Sequence, residues 1–176
     1  MRLGLTLQAN LNAVSEGPVV LLLAASAVLG GLMAGFFFAY SASVVLALRT
    51  LSASEYTTVM QEINEKVLNV VFGVVFFGAV VVPIGGAILV VLRGYWTTLS
   101  GGLFLAGIIV YLVGTFLVTA RIHVPMNDRI ATWSPVSPPD EWVTIQARWG
   151  RWNHVRTTAA VVSFALYLAA ILSFGS

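Results

Sequence analysis

The chain has 176 residues, 59% of them apolar and only 9% charged, with a mean hydropathy of +0.93. Soluble domains run at about 45–50% apolar and about 25% charged residues, so a water-soluble fold is excluded and a bilayer is the natural solvent. Nine Lys and Arg against seven Asp and Glu leave a net charge of +2, too little for a nucleic-acid-binding surface. Cysteine is absent, which removes disulfides, thiolate metal sites, iron–sulfur clusters and cysteine nucleophiles.

Charges divide the chain. Residues 17–48, 67–92, 94–120 and 157–176 contain no Asp, Glu, Lys or Arg, over 32, 26, 27 and 20 residues. About 20 apolar residues cross a hydrocarbon core as a helix, and a helix in lipid satisfies its own backbone. The expectation is an all-α fold: a four-helix transmembrane bundle forming one domain over 1–176. Its spans lie at approximately 18–48, 67–92, 95–120 and 157–175, with helical extensions of spans two and four at one membrane face. The apolar run after Glu16 exceeds the roughly 7–15 residues of a signal-peptide core, so it reads as mature structure.

The first span carries Gly31-Leu32-Met33-Ala34-Gly35, a spacing that permits close helix approach. It makes Gly31 and Gly35 candidates for a homo-oligomer contact. Ser52-Ala53-Ser54-Glu55 matches a capping box. No breaker follows before Pro83, so this helix is predicted to run straight into span two and to kink at Pro83. Tyr56, Met60, Asn64, Val67 and Val71 share one stripe. Asn64 interrupts that apolar face and looks inward, as a substrate contact or an interhelical hydrogen bond. Glu62 and Lys66 sit at i,i+4 on another face and can pair. Arg93 and Gly94-Tyr95-Trp96 form a tight interfacial turn.

Span three ends in Thr119-Ala120-Arg121-Ile122-His123-Val124-Pro125-Met126-Asn127-Asp128-Arg129. Proline disfavours helical backbone in the residue before it, so an extended or broken segment is expected ahead of Pro125. A rigid loop, Ser134-Pro135-Val136-Ser137-Pro138-Pro139, follows. A further helix should start near Pro139, where Asp140 and Glu141 suit a helix N-terminus, and continue past Gly150 into span four. It sets Trp149, Trp152, Asn153 and Arg156 at i, i+3, i+4 and i+7, facing one cavity. Interfacial tryptophans and a snorkelling arginine give the same spacing.

The polar segments 49–66 and 121–156 fall on one side of such a bundle and assemble a single site there. Arg49, Lys66, Arg121, Arg129, Arg148, Arg151 and Arg156 lie on that side, against Arg2 and Arg93 on the other. The positive-inside rule then places both long connections in the cytoplasm and both termini outside, in the cell membrane. His123 and His154 are the only histidines and both are candidate bases. A metal held by them with Glu62 lacks any HxxxH or HxxE spacing, and a bis-histidine haem would sit deeper between spans. No metal or other cofactor is expected. Walker, dinucleotide-binding and GxSxG motifs are missing. No predicted span carries a charge near its middle, which argues against a pump or an ion-coupled transporter.

Several short pieces in chain order carry a resemblance. They are Gly35-Phe36-Phe37-Phe38, Gln61-Glu62-Ile63-Asn64, Gly114-Thr115 with Val118-Thr119, Val124-Pro125-Met126-Asn127, and Arg151-Trp152-Asn153-His154-Val155-Arg156-Thr157. Together they resemble the anthrone oxygenase-like (DUF1772) family of small four-helix membrane proteins. Where that family has asparagine before Val-Pro, this chain has His123. The resemblance implies O2-dependent oxidation of a lipophilic phenolic or polycyclic substrate, with no cofactor. Trp149 and Trp152 would stack the rings, His154 would take a proton, and Asn127 and Arg156 would stabilise an oxyanion, with Asn64, Asn153 and His123 in contact with substrate. The contrasting expectation is a non-catalytic membrane protein that binds a lipid, a quinone or a partner subunit.

Overall fold

The computed structural model describes residues 2–174, and side chains from residue 16 onward. Gly175, the last residue of the fourth predicted span, and Ser176 lie outside the described residues, as does the side chain of Arg2. Among the described residues the chain is almost wholly helical, with only an isolated bridge between Ser134 and Ser137.

Helix α1 covers Arg2–Ala39 and continues through a π-helical turn, Tyr40–Val44, into Val45–Leu48. Helix α2 is Ala53–Val67 and α3 is Val70–Leu92. After a 3-10 turn at Tyr95–Thr97, α4 runs over Leu99–Ala131, and α5 runs over Trp142–Leu172. Glu16–Leu48, Val70–Leu92, Leu99–Ala131 and Trp142–Leu172 are each long and apolar enough to cross a membrane. The all-α bundle expected from composition is the fold found.

Local chemistry explains the helix ends. Ser52 caps α2: its Oγ accepts from the Glu55 N–H at 3.4 Å, while Glu55 Oε2 accepts from the Ser52 N–H at 2.9 Å. That is the reciprocal pairing of a capping box. The Glu62–Lys66 pair is long, at 3.9 Å, because Lys66 binds its neighbour Glu65 at 2.6 Å.

The helix from Ser52 does not run into span two. It stops at Val67, and Leu68 leaves helical backbone at φ −79°, ψ 58°. Asn69 then caps α3 by accepting from the Phe72 N–H at 3.0 Å and donates to the Lys66 carbonyl at 2.8 Å. One amide thus closes one helix and opens the next. The stripe that begins at Tyr56 and Met60, both buried, therefore ends before Val71, which is 75% exposed. Pro83 lies inside α3 with helix on both sides of it.

The helix of span three continues beyond Ala120, and no extended segment precedes Pro125. Two π-helical turns, Leu112–Leu117 and Thr119–His123, carry the helix on to Val124–Ala131, with Pro125 in its first turn. Proline removes one backbone donor and crowds the preceding turn, and the wider π turn accommodates both. The connection from α4 to α5 is consequently short, and α5 begins at Trp142 rather than near Pro139.

Three apolar clusters stack along the bundle. One holds Val19, Val90, Phe104 and Tyr167, the next Met33, Phe37, Phe76, Tyr111 and Ala160. The third forms a roof of Leu48, Tyr56, Met60, Met126, Ile130, Ile145 and Trp149. Side chains lace this roof to helix ends. Gln61 Nε2 donates to the carbonyls of Ile130 at 3.0 Å and Trp133 at 2.9 Å, and Gln146 Nε2 donates to the Leu48 carbonyl at 2.7 Å. These donors satisfy carbonyls that a helix C-terminus leaves open.

Small residues set the helix spacing. A Cβ on Gly31 would meet the Phe164 ring at 3.0 Å, so this glycine serves packing of α1 on α5 within the chain, while Gly35 faces open space. A Cβ on Gly114 would collide with the Cβ of Ala159, which makes it the closest approach of α4 to α5 among the described glycines that face α5.

Candidate functional site

Beneath the roof lies a cavity of about 380 Å³ with walls from every helix. That is within the usual 300–1,000 Å³ of small-molecule sites. Phe36, Phe37 and Tyr40 come from α1, Ile63 and Asn64 from α2, and Phe72 and Phe76 from α3. The end of α4 contributes Thr119, His123 and Asn127, and α5 contributes Trp149 and Arg156. Rings of α1, α3 and α5 form much of the wall, and Asn64, Thr119, His123, Asn127 and Arg156 bring polar groups from α2, α4 and α5.

Arg156 is the centre of this polar side. Its guanidinium carbon lies 4.3 Å from the Phe37 ring centre and 5.4 Å from that of Trp149. Its Nε donates to Asn153 Oδ1 at 3.0 Å. The residue is only 7% exposed, and among the described residues no carboxylate pairs with it. A charge removed from water without a counter-ion is costly, by several kcal/mol after relaxation. Contacts with ring faces return about 0.5–2 kcal/mol each. The remaining N–H donors are available to an oxyanion.

Arg156 lies just ahead of the fourth predicted span, close to the midpoint of α5. The count of positive charges at the long-connection side loses one member, since Arg156 is inside the bundle while Arg49, Lys66, Arg121, Arg129, Arg148 and Arg151 are exposed.

Asn153 is fully buried behind Arg156 and does not line the cavity. Its Nδ2 donates to Ser41 Oγ at 2.8 Å, and Ser41 in turn shares a 2.8 Å hydrogen bond with Thr157 Oγ1. Thr115 Oγ1 donates to the Arg156 carbonyl at 3.2 Å, which anchors the same stretch of α5 from α4. Ser41 and Thr115 belong to π-helical turns, as do Tyr40 and His123. Such turns insert an extra residue and recur at functional sites. Here they aim side chains of α1 and α4 at one point on α5.

His123 is 1% exposed and lies edge-on to Trp149, with ring centres 5.1 Å apart. The backbones of Trp149 and Val118 approach its ring. Neither ring nitrogen completes a hydrogen bond of ordinary geometry among the described residues. A buried imidazole without partners is uncommon, because unpaired polar atoms cost about 1–3 kcal/mol. Trp149 Nε1 donates to Asn127 Oδ1 at 2.9 Å. Since an indole N–H can only donate, this bond fixes the amide and leaves the Asn127 Nδ2 donors for the cavity. Asn64 Nδ2 is also buried without a partner.

The remaining predicted site residues lie elsewhere. His154 sits in a separate groove with Val110, Val155, Thr158, Ala159 and Val162. Successive residues on a helix are about 100° apart, which turns His154 well away from the Trp149–Arg156 line. Trp152 is half-buried and does not line the cavity. Among the described residues no three His, Cys, Asp or Glu side chains converge as a metal site would require. Sequence reasoning missed the aromatic walls, Phe36, Phe37, Tyr40, Phe72 and Phe76. In a span that is apolar all round, no periodicity separates a ring facing a cavity from one facing lipid.

The anthrone oxygenase family profile matches residues 68–166, more than half of the chain. The chain belongs to the anthrone oxygenase family. The matched region takes in His123, Asn127, Trp149, Asn153 and Arg156. Asn64 and the α1 wall of the cavity lie outside it. Searches of curated proteins and of solved structures gave no match. Four apolar helices and this family membership make the chain a multi-pass membrane protein.

Proposed function

We propose that the cavity binds a flat, lipophilic phenolic or polycyclic molecule and oxidises it with O2 at an activated methylene. The observation that carries this reading is the Arg156 guanidinium: buried, without a carboxylate, and set in an aromatic cavity beside His123. An acidic C–H between two rings gives an enolate on deprotonation. Aromatic walls suit the rings, and cationic and N–H donors placed where charge develops lower the barrier to reaching it.

In this scheme His123, as a neutral imidazole, takes the proton from carbon. The electron pair moves onto the substrate oxygen, where Arg156 and the Asn127 Nδ2 donors hold the enolate. The enolate passes one electron to O2, and the radical pair joins to form a C–O bond and, with a proton, a hydroperoxide. Loss of the second C–H proton breaks the O–O bond and leaves a ketone and water. Overall R2CH2 + O2 gives R2C=O + H2O, so the substrate supplies every electron and the reading needs no cofactor. Trp149 and Phe37 support the guanidinium and wall the ring site. Asn153 acts as a positioning residue for Arg156.

The long connections are proposed to face the cytoplasm and the termini the outside, on the excess of exposed arginines around the roof. The test of function is the conversion of anthrone to anthraquinone by detergent-purified protein in air, measured against spontaneous autoxidation and against Arg156→Ala. A wild-type rate well above both supports the reading. A rate equal to autoxidation overturns it for anthrone and moves the cavity to the ligand-binding alternative.

A further inference from the structure

Two openings flank the cavity, both apolar over most of their lining and different at their outer rims. One lies between α1 and α3, has a volume of about 560 Å³, and shares Phe36, Tyr40 and Phe72 with the cavity. Its outer rim is Leu32, Val71 and Val75. Leu32 is 53% and Val71 75% exposed, on helices long and apolar enough to cross a membrane. The other lies between α2 and the end of α4, shares Asn64 and Asn127 with the cavity, and is rimmed by Gln61, Glu65, Asp128 and Ala131.

We infer that the cavity is loaded sideways from the bilayer through the α1–α3 opening, and that the α2–α4 opening serves water and protons. This rests on the cavity being a ligand site, and does not depend on turnover. The occupant of the first opening is a neutral aromatic molecule dissolved in the hydrocarbon, since its rim offers rings and branched aliphatic groups. From Tyr40 to Leu32 the rim descends eight residues of α1, about 12 Å at 1.5 Å per residue. With Lys66 at its upper end snorkelling to the interface, that length reaches into the acyl region. Between opening and cavity stand the rings of Phe36 and Phe72, 5.3 Å apart and tilted by 49°. On the proposed route a ligand passes this pair when one of the rings rotates. The α2–α3 break at Leu68 and Asn69 borders the cavity at the same level. The second opening has acidic and amide groups at its rim, which a neutral polycycle would have to desolvate.

The chain lacks cysteine, and Gly73 lines the cavity with nothing within 4 Å of an added Cβ. Gly73→Cys is therefore a reporter inside the site. In proteoliposomes its labelling is followed with a pyrene maleimide dissolved in the lipid and with a sulfonated maleimide confined to water. Each is repeated with Leu32→Trp or Val71→Trp, both at exposed positions of the apolar rim, and with Ala131→Trp at the polar rim. Lipid-phase labelling should fall about tenfold with either apolar-rim tryptophan and stay unchanged with Ala131→Trp. Labelling from water alone, or blocked only by Ala131→Trp, overturns the loading route. So does an unlabelled Gly73→Cys when Val71→Cys on the rim reacts. Loss of anthrone turnover with the expected labelling would sink the oxygenase reading alone.

Discussion

Asn153 accepts a hydrogen bond from Arg156 Nε at 3.0 Å while donating to Ser41 at 2.8 Å, so a buried amide fixes where the one buried arginine among the described residues points. Asn153→Ala frees the guanidinium to rotate and should lower kcat for anthrone by about 10–100-fold, as loss of alignment does. Asn153→Asp keeps an acceptor but adds a carboxylate beside Arg156, and should lose activity as strongly while folding normally. Full activity in Asn153→Asp would show that the net charge of Arg156 is not used.

Arg156→Met separates function from stability. Desolvation of the charge costs several kcal/mol. Two ring-face contacts and a hydrogen bond to a charged group return a similar sum, at about 0.5–2 kcal/mol per ring and about 1.5–3 for the hydrogen bond. The thermal midpoint in detergent should therefore stay within a few degrees of wild type, while turnover falls about 10²–10³-fold. A collapse in stability with turnover intact would reverse the assignment.

Both histidines are candidate bases by residue type, and the resemblance favours His154, whereas the proposed mechanism uses His123. His123 borders the cavity and His154 lies in a separate groove. His123→Ala should reduce kcat about 10²–10⁴-fold, the usual worth of a positioned base, with His154→Ala close to wild type. The reverse ranking in a single-turnover assay would return the base to His154.

Gly114 tests the close approach of α4 and α5. Gly114→Ala drives a methyl into Ala159, and overpacking of this kind costs about 1–3 kcal/mol. It should also loosen Thr115 from the Arg156 carbonyl and so depress turnover. Gly35→Ala, which faces open space, should leave the melting curve unchanged. Equal midpoints for the two variants would mean that α4 and α5 are not in contact there.

The capping box predicts a pH dependence. The hydroxyl of Ser52, and then its backbone N–H, hold the exposed Glu55 carboxyl below its usual pKa. A carboxyl lowered in the folded state stabilises it above the unfolded pKa, and that contribution disappears as pH falls through the folded value. The gap in thermal midpoint between wild type and Glu55→Ala should be steady at neutral pH and close below the ordinary carboxyl range. A gap that widens on acidification would exclude the pairing.

Much of the scaffold is written locally. Uncharged stretches longer than the bilayer is thick marked the apolar helices, and Ser52 with Glu55 marked the start of α2. Asn69 carried an equally local signal, an N-cap before an apolar run, and it splits what the stripe from Tyr56 presented as one helix. Pro125 misled because a π turn resolves the clash that an extended segment would otherwise resolve.

The sequence by itself determined the solvent, the number of long apolar helices and the side on which polar residues gather, because each follows from residue type against lipid. Only the tertiary structure decided which of Trp149, Trp152, His123 and His154 meet Arg156. In lipid both the packed and the exposed face of a helix are apolar, so facing leaves little periodic trace. It emerges from packing: Gly114 against Ala159, Gly31 against Phe164, and three π turns that re-aim the side chains around one buried charge.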